Sequence, residues 1–313
     1  MIFDNKIIQG NALTELQKLP SEFIDCIISS PPYYQLRDYK HTQQIGNEET
    51  IDEYIDKLIQ VFDECKRVLK RTGTCFIVIA DSHNDNKSLS LVPERFSIKM
   101  TDHDWILRNI IIWKKPNCMP SSVKDRFTID YEFIQFYTKS KKYYFKTQYE
   151  PLSEITIKEV QKFYNGRGKK DYAGNGIQNP SEVKRRIIKK FAPIGGVKHV
   201  IGNENPTYSG NGYNPNIEQG RIKRSIWNIK TQSFSGLHYA VFPEELVKNF
   251  IDCGCPENGI VLDPFLGSGT TALVVLKNNR RFVGIELNED YIQIAMKRLN
   301  PYLKTEKIDS FIV

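Results

Sequence analysis

Residues 260–288 read IVLDPFLGSGTTALVVLKNNRRFVGIELN, and this stretch constrains the fold more than any other. A short apolar run ends at Asp263, a turn containing Gly267 and Gly269 follows, and a helical run, TTALVVLKNN, leads into a second strand, FVGIELN. Strands that alternate with helices build a mostly parallel sheet covered on both faces. The same alternation occurs at the start of the chain. KIIQG (6–10) reads as a strand, NALTELQKL (11–19) as a short helix, and IDCIIS (24–29) as a buried strand. Between 50 and 70, Ile51, Tyr54, Ile55, Leu58, Ile59, Phe62, Val68 and Leu69 recur at helical spacing behind a capping Thr50. TGTCFIVIA (72–80) reads as a strand entered by a turn at Gly73. ILRNIIIW (106–113) and YEFIQFY (131–137) read as a long-looped strand pair. Near the end, PEELVKNFIDC reads as a helix with Pro243 in its first turn, and Asn288 caps the helix EDYIQIAMKRL. The expected fold class is α/β, a doubly wound and mostly parallel sheet.

The middle of the chain breaks this pattern. Residues 146–225 hold ten of the 19 glycines, many tyrosines and little periodicity. Between Lys141 and Arg224 stand 17 Lys and Arg against 7 Asp and Glu, so this stretch carries +10 of a chain whose total is +7. The expected organisation is therefore one domain from 1–145 and 226–313, with 146–225 an inserted lobe. A local basic excess suits a polyanionic partner.

Other classes are disfavoured. No apolar run approaches the roughly 18–20 residues that span a bilayer. MIFDNKIIQGNAL has no basic stretch leading into an apolar one, so no signal peptide is read and a cytoplasmic location is expected. Six cysteines include no C-x-x-C pair, and no histidine stands at ligand spacing from Cys253 or Cys255. Free thiols are expected, and no metal.

The glycine turn carries chemistry. Gly267 and Gly269 let the backbone turn tightly and approach a ligand, with the first N–H groups of a helix aimed at it. Nineteen residues after Gly267, the next strand ends in Glu286, which is placed to bind a ribose hydroxyl pair. The turn lacks the lysine of a phosphate loop and the full G-x-G-x-x-G of a dinucleotide site. A ligand with ribose but no phosphate fits better, adenosyl-methionine being the common one. A tight strand–helix turn without a ligand is the competing reading.

A second motif completes the pattern. Ser30-Pro31-Pro32-Tyr33 follows the strand IDCIIS, and Asp263-Pro264-Phe265-Leu266-Gly267-Ser268-Gly269-Thr270-Thr271 follows the strand before the glycine turn. Together they resemble the amino-group DNA methyltransferases. With SPPY first, a basic variable region between and the glycine turn near the end, the order resembles the β group of those enzymes. Gly10-Asn11 resembles the turn that meets the cofactor's adenine, although aspartate is commoner than Asn11 there. WKKPNCMPSSVKDRFTIDYEFI (113–134) resembles the segment before the target-recognition region, and HYAVFPEELVKNFI (238–251) the segment beside the cofactor's methionine end. His238 in it has an ordinary loop role as its competing reading.

The resemblance implies a sheet of the adenosyl-methionine-dependent methyltransferase type with 146–225 as the target-recognition region, where lysines and arginines such as Lys169, Lys170, Arg185 and Arg186 would bind phosphates. It implies Asn11, Asp263, Phe265, Gly267, Gly269, Thr270 and Glu286 as cofactor-binding residues, and Ser30, Pro31, Pro32 and Tyr33 as catalytic. Double-stranded DNA is the expected partner, and a restriction endonuclease and a homodimer are compatible with the family. A base inside a duplex hides its exocyclic amine, so the enzyme must flip it out. Tyr33 would then stack on the flipped base. The Pro31 carbonyl and the Ser30 hydroxyl would accept the amine's hydrogens, held in place by the rigid prolines. In enzymes that look like this one, serine at the first position goes with cytosine N4 and aspartate with adenine N6, so N4 is expected with N6 as the alternative. Carbon-5 methylation is disfavoured because no Pro-Cys dipeptide occurs; Cys255 precedes Pro256 instead. A DNA-binding protein of this fold without catalysis, and a methyltransferase acting on RNA or a small amine, are the rival classes.

Overall fold

The structure is a computed structural model that describes residues 4–36, 41–155, 157–158, 220–232 and 242–303. Lys169, Lys170, Arg185, Arg186 and His238 lie outside the described residues. The chain divides into two compact units, Met1–Lys146 with Ser225–Val313, and Thr147–Arg224.

The larger unit carries an eight-stranded sheet. Its strands in chain order are β1 (Lys6–Gln9), β2 (Ile24–Ser29), β3 (Leu69–Ile79), β4 (Ile106–Lys114), β5 (Tyr131–Thr138), β8 (Ile226–Asn228), β9 (Ile260–Asp263) and β10 (Arg281–Glu286). The smaller unit supplies a two-stranded ribbon, β6 (Tyr149–Glu150) with β7 (Arg221–Ile222). The spatial order of the large sheet is β1-β10-β9-β2-β3-β5-β4-β8. β5 runs antiparallel to both its neighbours, and every other neighbouring pair is parallel.

Alternation along the strands explains the double winding. Ile8, Ile27, Ile77, Leu262 and Val283 face one core, shared with the helices α1 (Ala12–Gln17), α2 (Ile51–Val68) and α3 (Val92–Asp102). Their chain neighbours Ile7, Cys26, Ile28, Phe76, Val78, Val261 and Phe282 face the other. That second core is closed by α4 (Glu244–Gly254), α5 (Thr270–Lys277) and α6 (Glu289–Leu299). A strand buried on both faces must be apolar at consecutive positions, as IDCIIS and IVLD are. The helix starts are built as their sequences imply. Thr50 and Glu53 form a reciprocal capping box on α2, and Asn288 accepts from the Asp290 and Tyr291 amides at the start of α6.

β3 and α3 depart from the sequence reading, and β6, β7 and β8 have no counterpart in it. β3 begins at Leu69, directly after α2, so Gly73 lies inside the strand rather than at an entering turn. There the pairing with β2 is irregular: Ile24 faces Leu69, but Cys26 faces Thr74. A Cβ at Gly73 would lie 2.4 Å from Leu69 Cδ1, so glycine makes room for a side chain folded back across the irregularity. α3 has no counterpart in the sequence reading. Its cap comes from outside the local sequence: the Asp81 carboxylate accepts from the Leu91 and Val92 amides at 3.1 and 3.0 Å.

Candidate active site

β9 and β2 are neighbours at the centre of the sheet, and the chain leaves them in opposite directions. From β2 it passes through α2 on one face to β3. From β9 it passes through α5 on the other face to β10. This divergence is a topological switch point, and doubly wound sheets take their ligands at the carboxyl ends of the strands beside such a point. Parallel β1, β10, β9 and β2 therefore deliver Asn11, Glu286, the glycine turn and Ser30-Tyr33 to one edge. At about 4.8 Å between strands, these four ends span about 14 Å.

The glycine turn is built from both sides. Gly267 has φ +54°, and a Cβ there would meet nothing within 4 Å. Gly269 has φ +80°, and a Cβ there would lie 2.8 Å from Ala295 Cβ of α6. The first glycine borders open space and the second is demanded by helix packing. Glu286 accepts from the Gly267 amide at 2.7 Å and from the Asn288 amide at 2.8 Å. Burial pushes its pKa up. The Gly10 amide donates to the Glu286 carbonyl at 2.9 Å, and Asn11 caps α1 through the Leu13 and Thr14 amides. Arg298, which carries no signal in the sequence, clamps the turn from α6. Its Nη1 donates to the Ser268 carbonyl at 2.7 Å and to the Ser268 and Thr270 hydroxyls at 3.0 Å. Thr270 is thus buried with its oxygen turned to Arg298, and Phe265 packs partly buried against the core of the α1–α3 face.

Asp263 ties the two motifs together. It is 2 % exposed. Its Oδ1 accepts from Ser29 Oγ at 2.8 Å and the Phe265 amide at 3.1 Å, and its Oδ2 from Thr271 Oγ1 at 2.6 Å. Desolvation outweighs these bonds and pushes its pKa up to about 6, from an ordinary value of 3.8. Between these values the folded chain holds a proton that the unfolded chain has released. This contribution to stability is complete below about pH 4 and is lost as pH rises through about 6, a change of roughly 3 kcal/mol. The stability difference between wild type and Asp263→Asn, from urea unfolding at pH 4 to 7, should move against wild type by that amount as pH rises. A difference that does not change with pH would show that Asp263 titrates normally.

The turn after β2 holds a chain of hydrogen bonds. Ser30 Oγ donates to Tyr33 Oη at 3.2 Å, and Tyr33 Oη donates to Glu132 Oε2 at 2.9 Å. The other Glu132 oxygen accepts from Lys115 Nζ, which also lies 4.6 Å from the centroid of the Trp113 ring. Burial, then the Glu132 carboxylate, raise the Tyr33 pKa well above its ordinary value, so the phenol stays a donor. Because the Ser30 proton is committed to Tyr33, the lone pairs of Ser30 Oγ are left to accept. The Pro32 carbonyl accepts from Tyr54 Oη at 2.7 Å. Among the described residues, nothing donates to the Pro31 carbonyl. Glu132 and Lys115 lie in a segment that the sequence singles out, but their contact with Tyr33 has no signal there, since 99 residues separate Tyr33 from Glu132.

Among the described residues no cluster of metal-ligating side chains forms, and no helix is long and apolar enough to cross a membrane.

A family model described as DNA methylase matches residues 24–297. The Type II methyltransferase M.XycI of Xanthomonas campestris pv. cyanopsidis is 32 % identical over 94 % of this chain and 87 % of its own length. The DNA adenine methyltransferase YhdJ of Escherichia coli (strain K12) is 28 % identical over 94 % of this chain and 82 % of its own. Among solved structures, the PvuII DNA methyltransferase (cytosine-N4-specific) superposes with a TM-score of 0.62 at 18 % identity, over 97 % of this chain and 89 % of that one. A DNA modification methylase of Thermus thermophilus, complexed with S-adenosyl-L-methionine, superposes with a TM-score of 0.56 at 20 % identity over 96 % of both chains. At these identities the two structures bear on the fold.

Proposed function

The chain belongs to the DNA methylase family whose model covers residues 24–297, and from that premise we propose that it moves a methyl group from S-adenosyl-L-methionine to the exocyclic N4 of a flipped cytosine in DNA. The observation that carries this reading is the meeting of two motifs, far apart in the chain, at the switch point between β2 and β9.

The residues at the carboxyl edge fit the cofactor. Gly267 leaves a Cβ-sized space beside the turn, and Glu286 presents a carboxylate at the end of the next strand. Glu286 would hold the ribose hydroxyls and Asn11 would lie beside the adenine, with Gly267 and Phe265 lining the turn between them. Asp263, Gly269 and Thr270 act as positioning residues, because their side chains or Cβ positions are taken up by the protein. When bound, the cofactor supplies an electrophilic methyl group on a sulfonium.

Ser30 and the Pro31 carbonyl accept the two hydrogens of the target amine. This would draw its nitrogen toward tetrahedral geometry and leave the lone pair free to take the methyl, the C–S electron pair staying on sulfur and the amine releasing one proton to solvent. Tyr33 gives the extruded base a stacking face. The prolines and the Tyr54 bond to Pro32 keep the turn rigid, so positioning supplies much of the rate. Residues 146–225 act as the target-recognition region, on the strength of their basic charge balance. The Type II name of M.XycI supports a companion restriction endonuclease.

The choice of N4 rests on serine at the first motif position and on the cytosine-N4-specific PvuII enzyme sharing the fold. Adenine N6 is the second reading, favoured by the likeness to the E. coli adenine enzyme. Incubation of the protein with duplex DNA and adenosyl-methionine, followed by nucleoside mass spectrometry, decides between them. N4-methylcytosine is the expected product. N6-methyladenine would overturn the base assignment, and no methylated nucleoside would overturn the enzymatic reading.

A further inference from the structure

The loop between β4 and β5 is the most exposed apolar feature outside the site among the described residues. Residues 119–129 are exposed without a break. Within them Phe127 is 97 % exposed and Met119 88 %, and Val123 and Ile129 are also exposed. Single exposed apolar residues are ordinary, but four in eleven consecutive positions are not. From Lys114 to Arg126 the chain carries five charged side chains, four of them basic.

The place of this loop is set by sheet direction. β4 and β3 are both antiparallel to β5, so β4 ends at the same edge as β2 and β9. The loop therefore leaves the sheet on the side of Ser30 and the glycine turn. Its base is tied there directly. The Lys115 amide donates to the Asp130 carbonyl at 2.7 Å, and Lys115 and Glu132 complete the chain of hydrogen bonds that runs through Tyr33 to Ser30. Asn117 exchanges two hydrogen bonds with Thr231, and Lys87 pairs with Asp125 at 2.9 Å. The loop is anchored at its base and braced near its tip, while its apolar side chains stay in water.

We propose that this loop engages duplex DNA, with Phe127 and Met119 entering the base stack beside the target and Lys114, Lys124 and Arg126 facing the flanking phosphates. The inference rests on the reading that this chain methylates a flipped base. Flipping costs unstacking and unpairing and leaves a hole in the stack, and apolar side chains are known to insert between base steps in other DNA-deforming proteins. An exposed phenylalanine above a site that needs an extruded base fits that task, and the basic neighbours suit the polyanion around it.

The test uses the full chain and the DNA site found by mapping its methylation. Two duplex oligonucleotides carry that site, one fully paired and one with a mismatch opposite the target base. Phe127→Ala and Met119→Ala, singly and together, are compared with wild type in single-turnover methyl transfer. The side chains are exposed, so the fold should hold, and the melting temperature checks it. The double variant should lose about tenfold on the paired duplex and less than about twofold on the mismatched one, where flipping is already easy. Equal losses on both duplexes would overturn the wedge, because the loop would then add affinity alone. Unchanged rates on both would overturn it as well. Wild type that methylates no DNA would overturn the proposed function and this inference together.

Discussion

Replacing Ser30 and Tyr33 together by alanine should reduce single-turnover methyl transfer by about 10²–10³-fold while adenosyl-methionine binds as before. The two side chains do different things. Ser30 Oγ donates a hydrogen bond to Tyr33 and so keeps its lone pairs for the target amine. Tyr33 offers a ring and is pinned by Glu132. A base stacked on an aromatic ring gains about 1–3 kcal/mol, and the ring is absent from the double variant. Neither side chain belongs to the hydrophobic core, and the cofactor residues lie at the ends of β1, β9 and β10. Calorimetric affinity for adenosyl-methionine should therefore stay within about twofold of wild type. Tyr33→Phe isolates the hydroxyl. It keeps the stacking face, so a loss of about tenfold is expected, the worth of one hydrogen bond near a charged group. Full turnover by the double variant would remove Ser30-Tyr33 from the catalytic site.

The second prediction separates two glycines that look alike in the sequence. Gly269→Ala should destabilise the protein by about 3 kcal/mol, lowering Tm by roughly 5–10 °C, because a Cβ would stand 2.8 Å from Ala295 Cβ on a left-handed backbone. Gly267→Ala should destabilise far less, by about 1 kcal/mol, since only the positive φ opposes it. Its effect should fall on the ligand instead. The new methyl would stand in the open space beside the turn, weakening adenosyl-methionine by about tenfold to a hundredfold. Thermal unfolding and calorimetric binding on both variants measure this crossover. Wild-type affinity in Gly267→Ala would take the cofactor away from this turn, and a wild-type Tm in Gly269→Ala would mean that α6 moves aside easily.

Much of this molecule can be read from local pattern. The strands 24–29 and 281–286, the helix from Ile51 and the caps at Thr50 and Asn288 follow from periodicity and from side chains within three residues of each other. The departures have one physical source. Gly73 suggests a turn because glycine usually marks one, but here it admits Leu69 at an irregular pairing with a strand about 45 residues earlier. α3 is hidden from a local reading because its cap, Asp81, stands ten residues ahead of the first amide it holds. Arg298 carries no motif, and Glu132 lies in a recognisable segment but its contact with Tyr33 has no local signal; both matter through what lies beside them in space.

By itself the sequence determined the parts: a rigid SPPY turn after a doubly buried strand, a glycine turn after another, and a carboxylate nineteen residues beyond it. Residue type, spacing and alternation are local properties, and local physics suffices to read them. Only the tertiary structure decided that β2 and β9 lie side by side, because strand order depends on which helices cover which face of the sheet. That adjacency lets Ser29 bond Asp263 across 234 residues, and it brings the SPPY turn and the glycine turn to one edge of the sheet.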